Sequence, residues 1–336
     1  MWDAIGHDKA VEILKRSIKQ QQVSHAYLFV GPDGIGKARL AVGLAQALNC
    51  IGADVPCGKC AQCNRIRKGV HPDVQIVQVY DGRSRDGKSL TVIPIERVRE
   101  VLREANLKPF EGRTRVYIFD AIHMVSDEGT NALLKTLEEP PEQVVFVLLS
   151  SREEWLKSTT RSRCQRVELR PVSWSILTEA LEERFGLEHE QAVELARLSG
   201  GRPGKAIQLM KDPALREALD ERLETIERLI RTGLEERFEY ANDWAGRFSR
   251  ERESMLSELD LWLEWWRDVL LASQGMQKSV VHLSRLEIIT ETAQTISLSQ
   301  SVAAIGAISD AWRNLERNVN PRLALENLML AIPLVR

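Results

Sequence analysis

Eight residues, Gly31-Pro-Asp-Gly34-Ile-Gly36-Lys37-Ala38, carry the spacing of a phosphate-binding loop, G-x-x-x-x-G-K. Glycines let backbone amides converge on phosphate oxygens, and the N-terminus of a following helix adds positive potential. Lys37 would reach the terminal phosphates, and the next residue usually offers a hydroxyl to Mg²⁺. Here that residue is Ala38, which has no oxygen. The pattern therefore predicts a phosphate cradle at Gly31, Gly34, Gly36 and Lys37 that lacks its magnesium ligand. A glycine-rich strand-to-helix turn with no ligand is the alternative.

A second chemistry is written in the cysteines. Cys50, Cys57, Cys60 and Cys63 follow C-x6-C-x2-C-x2-C. Thiolates spaced this closely chelate one tetrahedral ion, and four of them leave no open position for catalysis. The expectation is a closed, structural Zn²⁺ site; disulfides fit the C-x2-C-x2-C spacing and a reducing compartment poorly. His71 lies nearby in Val70-His71-Pro72-Asp73 and reads as a turn residue rather than a fifth ligand. Cys164 stands apart and reads as a packed thiol.

These sites need elements to hold them. An apolar run, Ala26 to Val30, precedes the phosphate loop, and a helical pattern from Arg39 to Leu48 follows it. Residues 9–20 read as a helix with Ala10, Ile13, Leu14 and Ile18 on one face. Strands are predicted over 74–79, 115–120 and 144–149, with a polar loop over 81–87. Pro94 would open a helix at its first position and run to about Asn106, and Ser126 would cap another through Glu138. Buried apolar strands alternating with helices imply a parallel α/β sheet. Short helices are expected over 175–210, and only helices after Pro213. Met255, Leu259, Trp262, Trp266 and Val269 fall on one apolar helix face. Five of the eight tryptophans lie beyond residue 240 and read as core, not as stacking platforms for bases.

Composition sets bounds. The 336 residues suffice for two or three domains, and 28% charged residues are ordinary. A net charge of −2 gives no global pull toward DNA or membrane. Charge is uneven: 12 basic against 7 acidic residues over 61–115, and 10 against 16 over 211–270. Solvated helix faces account for both. No signal peptide and no apolar run of membrane-spanning length are evident, so a soluble cytoplasmic protein is expected.

Taken together, the phosphate loop, the cysteine knuckle, Gly69-Val-His-Pro-Asp73, Asn131-Ala-Leu-Leu-Lys-Thr-Leu-Glu-Glu-Pro-Pro141 and Ser162-Arg163-Cys164 resemble bacterial DNA polymerase III clamp-loader subunits of the AAA+ family. The likeness runs over essentially the whole chain, including Asn318 to Leu328, and is strongest to the delta-prime type. It implies an AAA+ P-loop domain over 1–170 with a zinc module at about 50–63, a helical lid over 171–212, and an all-α collar over 213–336. It also implies gamma/tau ATPase subunits, a delta subunit, the sliding clamp and, through the complex, primed DNA as partners. Asp120 corresponds to the acid that ends the Walker B strand.

Three departures separate this chain from the ATPase relatives. Ala38 removes the magnesium hydroxyl. Ala121 follows Asp120 where the relatives have a water-orienting glutamate. Gly204 aligns with their sensor arginine. Phosphoryl transfer depends on positioning and charge stabilisation, so these losses imply ATP or ADP binding without hydrolysis. Arg163 is the reverse: on its own it reads as a surface arginine in an ion pair, but the resemblance makes it a finger reaching a neighbour's ATP. An active gamma/tau-like ATPase subunit is the competing reading. A stand-alone zinc DNA-binding protein would need a stronger basic stripe than Arg65, Arg67 and Lys68 provide.

Overall fold

A computed structural model describes residues 2–78, 92–248, 252–317 and 319–335. The polar loop predicted over 81–87, Val79 and Asn318 lie outside the described residues. Two compact units form: residues 1–188 with 201–207, and residues 189–200 with 208–336.

In the first unit the elements run α1 (Asp8–Lys19), β1 (Ala26–Val30), α2 (Lys37–Asn49), α3 (Ala61–Arg67), β2 (Val74–Val77), α4 (Ile95–Ala105), β3 (Arg115–Asp120), α5 (Asp127–Glu138), β4 (Val144–Ser150), α6 (Ser158–Arg161), β5 (Gln165–Glu168) and α7 (Trp174–Phe185). The five strands form one parallel sheet in the order β2-β3-β4-β1-β5. Every residue of β1 and β4 is buried, because helices cover both faces. The two-residue period of a strand sorts the side chains. Tyr27, Phe29, Ile118 and Val147 pack with Leu14, Leu40 and Leu44 on one face. Leu28, Phe119, Phe146 and Leu148 pack with Val98, Val101, Leu133 and Leu137 on the other. Each fully buried Leu, Val or Phe of these layers contributes about 1.5–3 kcal/mol.

Ser126 caps α5 as expected, its hydroxyl accepting the Gly129 amide at 3.1 Å. Two local expectations change. Pro94 is the N-cap, extended at ψ 155°, and α4 starts at Ile95. On α1 the buried stripe is Ala10, Val11, Leu14 and Ser17, while Ile13 is 48% exposed. The Ser17 hydroxyl holds the Tyr27 hydroxyl at 3.0 Å, so a polar residue sits where an apolar pattern pointed elsewhere.

In the second unit lie α8 (His189–Leu198), the last four residues of α9 (Pro203–Lys211), α10 (Pro213–Arg231), α11 (Leu234–Arg247), α12 (Arg252–Ser273), α13 (Leu286–Thr295), α14 (Leu298–Glu316) and α15 (Pro321–Ala331). Met255, Leu259, Trp262, Trp266 and Val269 are all buried in its core, with Trp244 and Trp265. The tryptophans are therefore packing groups. Among the described residues no helix is long and apolar enough to cross a membrane.

Candidate functional sites

The phosphate loop joins β1 to α2 at the C-terminal edge of the sheet, where ligands of parallel α/β sheets bind. Gly31, Gly34 and Gly36 have φ of 151°, 74° and 109°, a region that L side chains rarely adopt. An anion nest must turn its carbonyls away from the anion, and this loop does. The carbonyls of Gly31 and Pro32 accept the Lys37 ammonium at 2.7 and 3.1 Å. That of Gly34 accepts the amides of Gly204 and Lys205 at 2.7 and 3.3 Å. That of Ile35 accepts the buried His7 Nε2–H at 2.8 Å. Burial pushes the His7 pKa down and so favours the neutral ring, and the carbonyl partner, which can only accept, requires the proton on Nε2.

The loop thus fits a phosphate in its backbone, but its cation is turned inward. Lys37 is buried, and burial lowers its pKa against the opposing pull of Asp33 and Asp120. Lys37 thus feels the charge of Asp120. Asp120 ends β3 beside Leu149 of β4, and Ala121 follows at φ 75° with only a methyl group. Neither Ala38 nor Ala121 can bind magnesium or orient water. Ser150 is a neighbour that sequence reasoning missed. Its carbonyl accepts the Gly31 amide at 3.2 Å and its hydroxyl lies 3.2 Å from His123 Nδ1. A lone hydroxyl ending the apolar run from Val144 was the available signal.

Gly204 has a spatial reason. A Cβ there would lie 2.7 Å from the Gly34 carbonyl oxygen. The first turn of α9 docks on the phosphate loop through backbone, and no side chain fits between.

The cysteines converge. The sulfur atoms of Cys50, Cys57, Cys60 and Cys63 all lie within 4.8 Å of one another. A zinc tetrahedron with bonds of about 2.3 Å needs sulfurs roughly 3.8 Å apart. Amides serve the sulfurs as they serve thiolates: Gly52 and Cys57 donate to Cys50, Cys60 to Cys57, and Cys63 to Cys60, at 3.3–3.4 Å. The Lys59 and Cys60 amides hold Cys57 down to about 6, whereas burial pushes Cys63 up to about 12. A divalent cation held by the four sulfurs would reconcile these, since it would offset the cost of burying thiolates. No cysteine of the four is in a disulfide. His71 is excluded as a ligand: its Nδ1 accepts the Asp73 amide at 3.0 Å, so Nε2–H donates to Gln62 Oε1 at 2.5 Å. Cys164 packs against the sheet, its thiol pushed up to about 12 by burial.

Arg163 precedes β5, and β5 begins level with the start of β1. It therefore stands at the N-terminal edge of the sheet, opposite the phosphate loop. Five residues of β1 separate the edges by about 17 Å. A guanidinium cannot serve its own chain's loop across that span. Arg163 donates to the Thr159 carbonyl at 2.8 Å and pairs with Glu138; both side chains are partly exposed.

The same edge holds a network that the sequence did not predict. Asp73 accepts the amides of Phe110, Glu111 and Gly112 at 2.7–2.9 Å, and Arg115 at 3.3 Å. Asn49 Oδ1 accepts those of Arg113 and Thr114 at 2.8 and 3.0 Å.

Comparison with known proteins follows this geometry. The sequence profile of the family described as DNA polymerase III, delta subunit, matches residues 6–173. DNA polymerase III subunit delta' of Bacillus subtilis is 28% identical over 328 residues, 96% of this chain and 95% of that protein. DNA polymerase III subunit tau/gamma of Haemophilus influenzae is 34% identical over 206 residues, 59% of this chain and 28% of that protein. DNA polymerase III subunit tau of Escherichia coli is 36% identical over 190 residues, 56% of this chain and 28% of that protein.

Proposed function

The chain belongs to the DNA polymerase III delta-subunit family, and we propose that it is a delta-prime-type subunit of the DNA polymerase III clamp loader. In that role it assists ATP-dependent loading of the sliding clamp onto primed DNA in the cytoplasm. It hydrolyses no ATP itself. Its partners are gamma/tau-type ATPase subunits, a delta subunit, the clamp and, through the complex, primed DNA. Residues 1–170 act as the P-loop domain, 171–212 as the lid and 213–336 as the collar.

One observation carries this reading: Arg163 and the phosphate loop stand on opposite edges of one sheet. In a row of homologous subunits, such an arginine faces the next subunit's phosphates. There it would stabilise charge developing on the γ-phosphate. The chain's own loop keeps Lys37 but offers no magnesium ligand at Ala38 and no water-orienting carboxylate at Ala121, so ATP or ADP could sit there without turnover. Cys50, Cys57, Cys60 and Cys63 hold one structural Zn²⁺. A gamma/tau-like ATPase is the alternative, and similarity to subunits of that name favours it over half the chain. Ala38, Ala121 and Gly204 oppose it.

The experiment is Arg163→Ala in a reconstituted complex, with steady-state ATPase and clamp loading as readouts. Arg163 lies in the first unit and is remote in sequence from the helices of 213–336, so the complex should still assemble. A finger contributes about 10³–10⁵ at its own site, and bulk ATPase should fall by less because other sites keep their arginines. Unchanged loading by an intact complex would make Arg163 a surface arginine.

A further inference from the structure

The N-terminal edge of the sheet carries a second feature besides Arg163. Residues 107–114 join α4 to β3 there, and Phe110 is 81% exposed, with Leu107 at 61%. An exposed apolar side chain on a loose loop needs no explanation. This loop is not loose. Five consecutive amides, Phe110 to Thr114, are held by Asp73 and Asn49, both 1% exposed. Arg65 of α3 pairs with Glu111 at 2.5 Å and ties the loop to the cysteine module. Two buried polar groups are thus used to fix a segment whose tip is an aromatic ring in water. Fixing the segment beforehand removes the ordering cost of binding, which is the property of an anchor.

From this we infer that Phe110 anchors the same subunit interface that Arg163 serves, inserting into an apolar recess with an acidic rim on the neighbouring P-loop ATPase subunit. The inference rests on the reading of Arg163 given above. Continuity supports it. In the order β3-β4-β1-β5, three strand spacings of about 4.8 Å put the β3 and β5 ends roughly 14 Å apart. An interface of about 800 Å² per partner is ~30 Å across and spans both. Charge supports it as well: Lys108 and Arg113 flank Phe110 along the loop, so the complementary rim is acidic. Single-stranded nucleic acid also pairs with basic and aromatic groups. The aliphatic exposure of Leu107, and of Val70 at 60% beside α3, favours a protein recess, since aliphatic side chains give bases no stacking face.

The test measures affinity of the full chain for the isolated gamma/tau-type ATPase subunit of its own organism, with ATP and Mg²⁺, by titration calorimetry. Phe110→Ser should weaken binding about 10- to 100-fold, and Phe110→Leu should stay within about 3-fold of the parent. Zinc content and circular dichroism should not change, because the ring is in solvent. Unchanged affinity of Phe110→Ser overturns the proposal. So does unchanged subunit affinity with weakened binding to a single-stranded oligonucleotide, which would make Phe110 a base platform. Arg163→Ala, run in parallel, separates the two readings. Weakened binding by Phe110→Ser with unchanged clamp loading by Arg163→Ala keeps the anchor and removes the finger, and the opposite pattern removes the anchor alone.

Discussion

Gly204 offers the sharpest test of how the first turn of α9 meets the phosphate loop. Its amide and that of Lys205 both donate to the Gly34 carbonyl, at 2.7 and 3.3 Å. A Cβ at 204 would lie 2.7 Å from that oxygen, 3.2 Å from its carbon and 3.3 Å from the Gly34 Cα. All three are backbone atoms, so no side chain can rotate away. For Gly204→Ala the opposing effects can be compared. Helix propensity favours alanine by at most about 1 kcal/mol in a helix interior, and by less in a first turn. Crowding a packed contact costs about 1–3 kcal/mol. If the chain relieves it by moving apart, one or two hydrogen bonds of about 0.5–1.5 kcal/mol each are lost. The losses win, leaving the contact weaker by about 1–3 kcal/mol. Since 1.4 kcal/mol is tenfold, local opening should rise roughly 5- to 150-fold. Hydrogen exchange with mass spectrometry on peptides covering 31–37 and 203–211 reads this directly. The cysteine module and the tryptophan core should exchange as before. Exchange at 203–211 indistinguishable from the parent would refute the claim that a side chain at 204 and the docked first turn of α9 exclude each other. Gly204→Arg should open the contact further, yet without oxygens at 38 and 121 it should not restore hydrolysis.

Elemental analysis should find one zinc per chain; Cys60→Ser should lose it and unfold the module, while Cys164→Ser should retain it. Acidification should release the metal as the thiolates take up protons. For Asp73, burial alone would raise the carboxyl pKa, but the amides of Glu111, Phe110 and Gly112 and the Arg115 guanidinium outweigh it and hold the value below the ordinary one. Its stabilisation is therefore complete above about pH 4 and lost as pH falls through the depressed value. Asp73→Asn should flatten that acid limb in urea midpoints measured against pH; an unchanged limb would assign the acid sensitivity elsewhere. Ala38→Thr should leave the isolated chain without significant ATPase, because Ala121 still lacks a carboxylate, and robust magnesium-dependent turnover by the parent would reverse the reading. Arg237 is buried and donates to the carbonyls of Leu229, Ile230, Met329, Ile332 and Pro333 at 2.7–3.3 Å. Arg237→Met strips several buried acceptors and should destabilise the second unit by about 2–4 kcal/mol, read as a lower thermal midpoint.

The sequence by itself determined what depends on neighbours along the chain. The phosphate loop between strand and helix, the four cysteines within fourteen residues, the buried strands and the Ser126 cap are each set by a few consecutive residues. Their geometry follows from local periodicity, chelate spacing and backbone hydrogen bonds, so reading them needed no fold. Of the short-range errors, Ile13 came from a pattern blind to which face meets the sheet, and Pro94 from setting the helix start one residue early. Tertiary structure decided the rest. Only the strand order β2-β3-β4-β1-β5 shows that Arg163 and Lys37 lie on opposite edges. Only packing brings Gly204 against Gly34, Asp73 against the amides of 110–112, and Asn49 against 113 and 114. These contacts join residues 37 to 170 positions apart. A periodic sequence specifies which side of an element is apolar, but not which distant backbone will press against it: backbone approaching backbone leaves room only for glycine at 204, and distant amides turned toward the side chains of Asp73 and Asn49 need those acceptors.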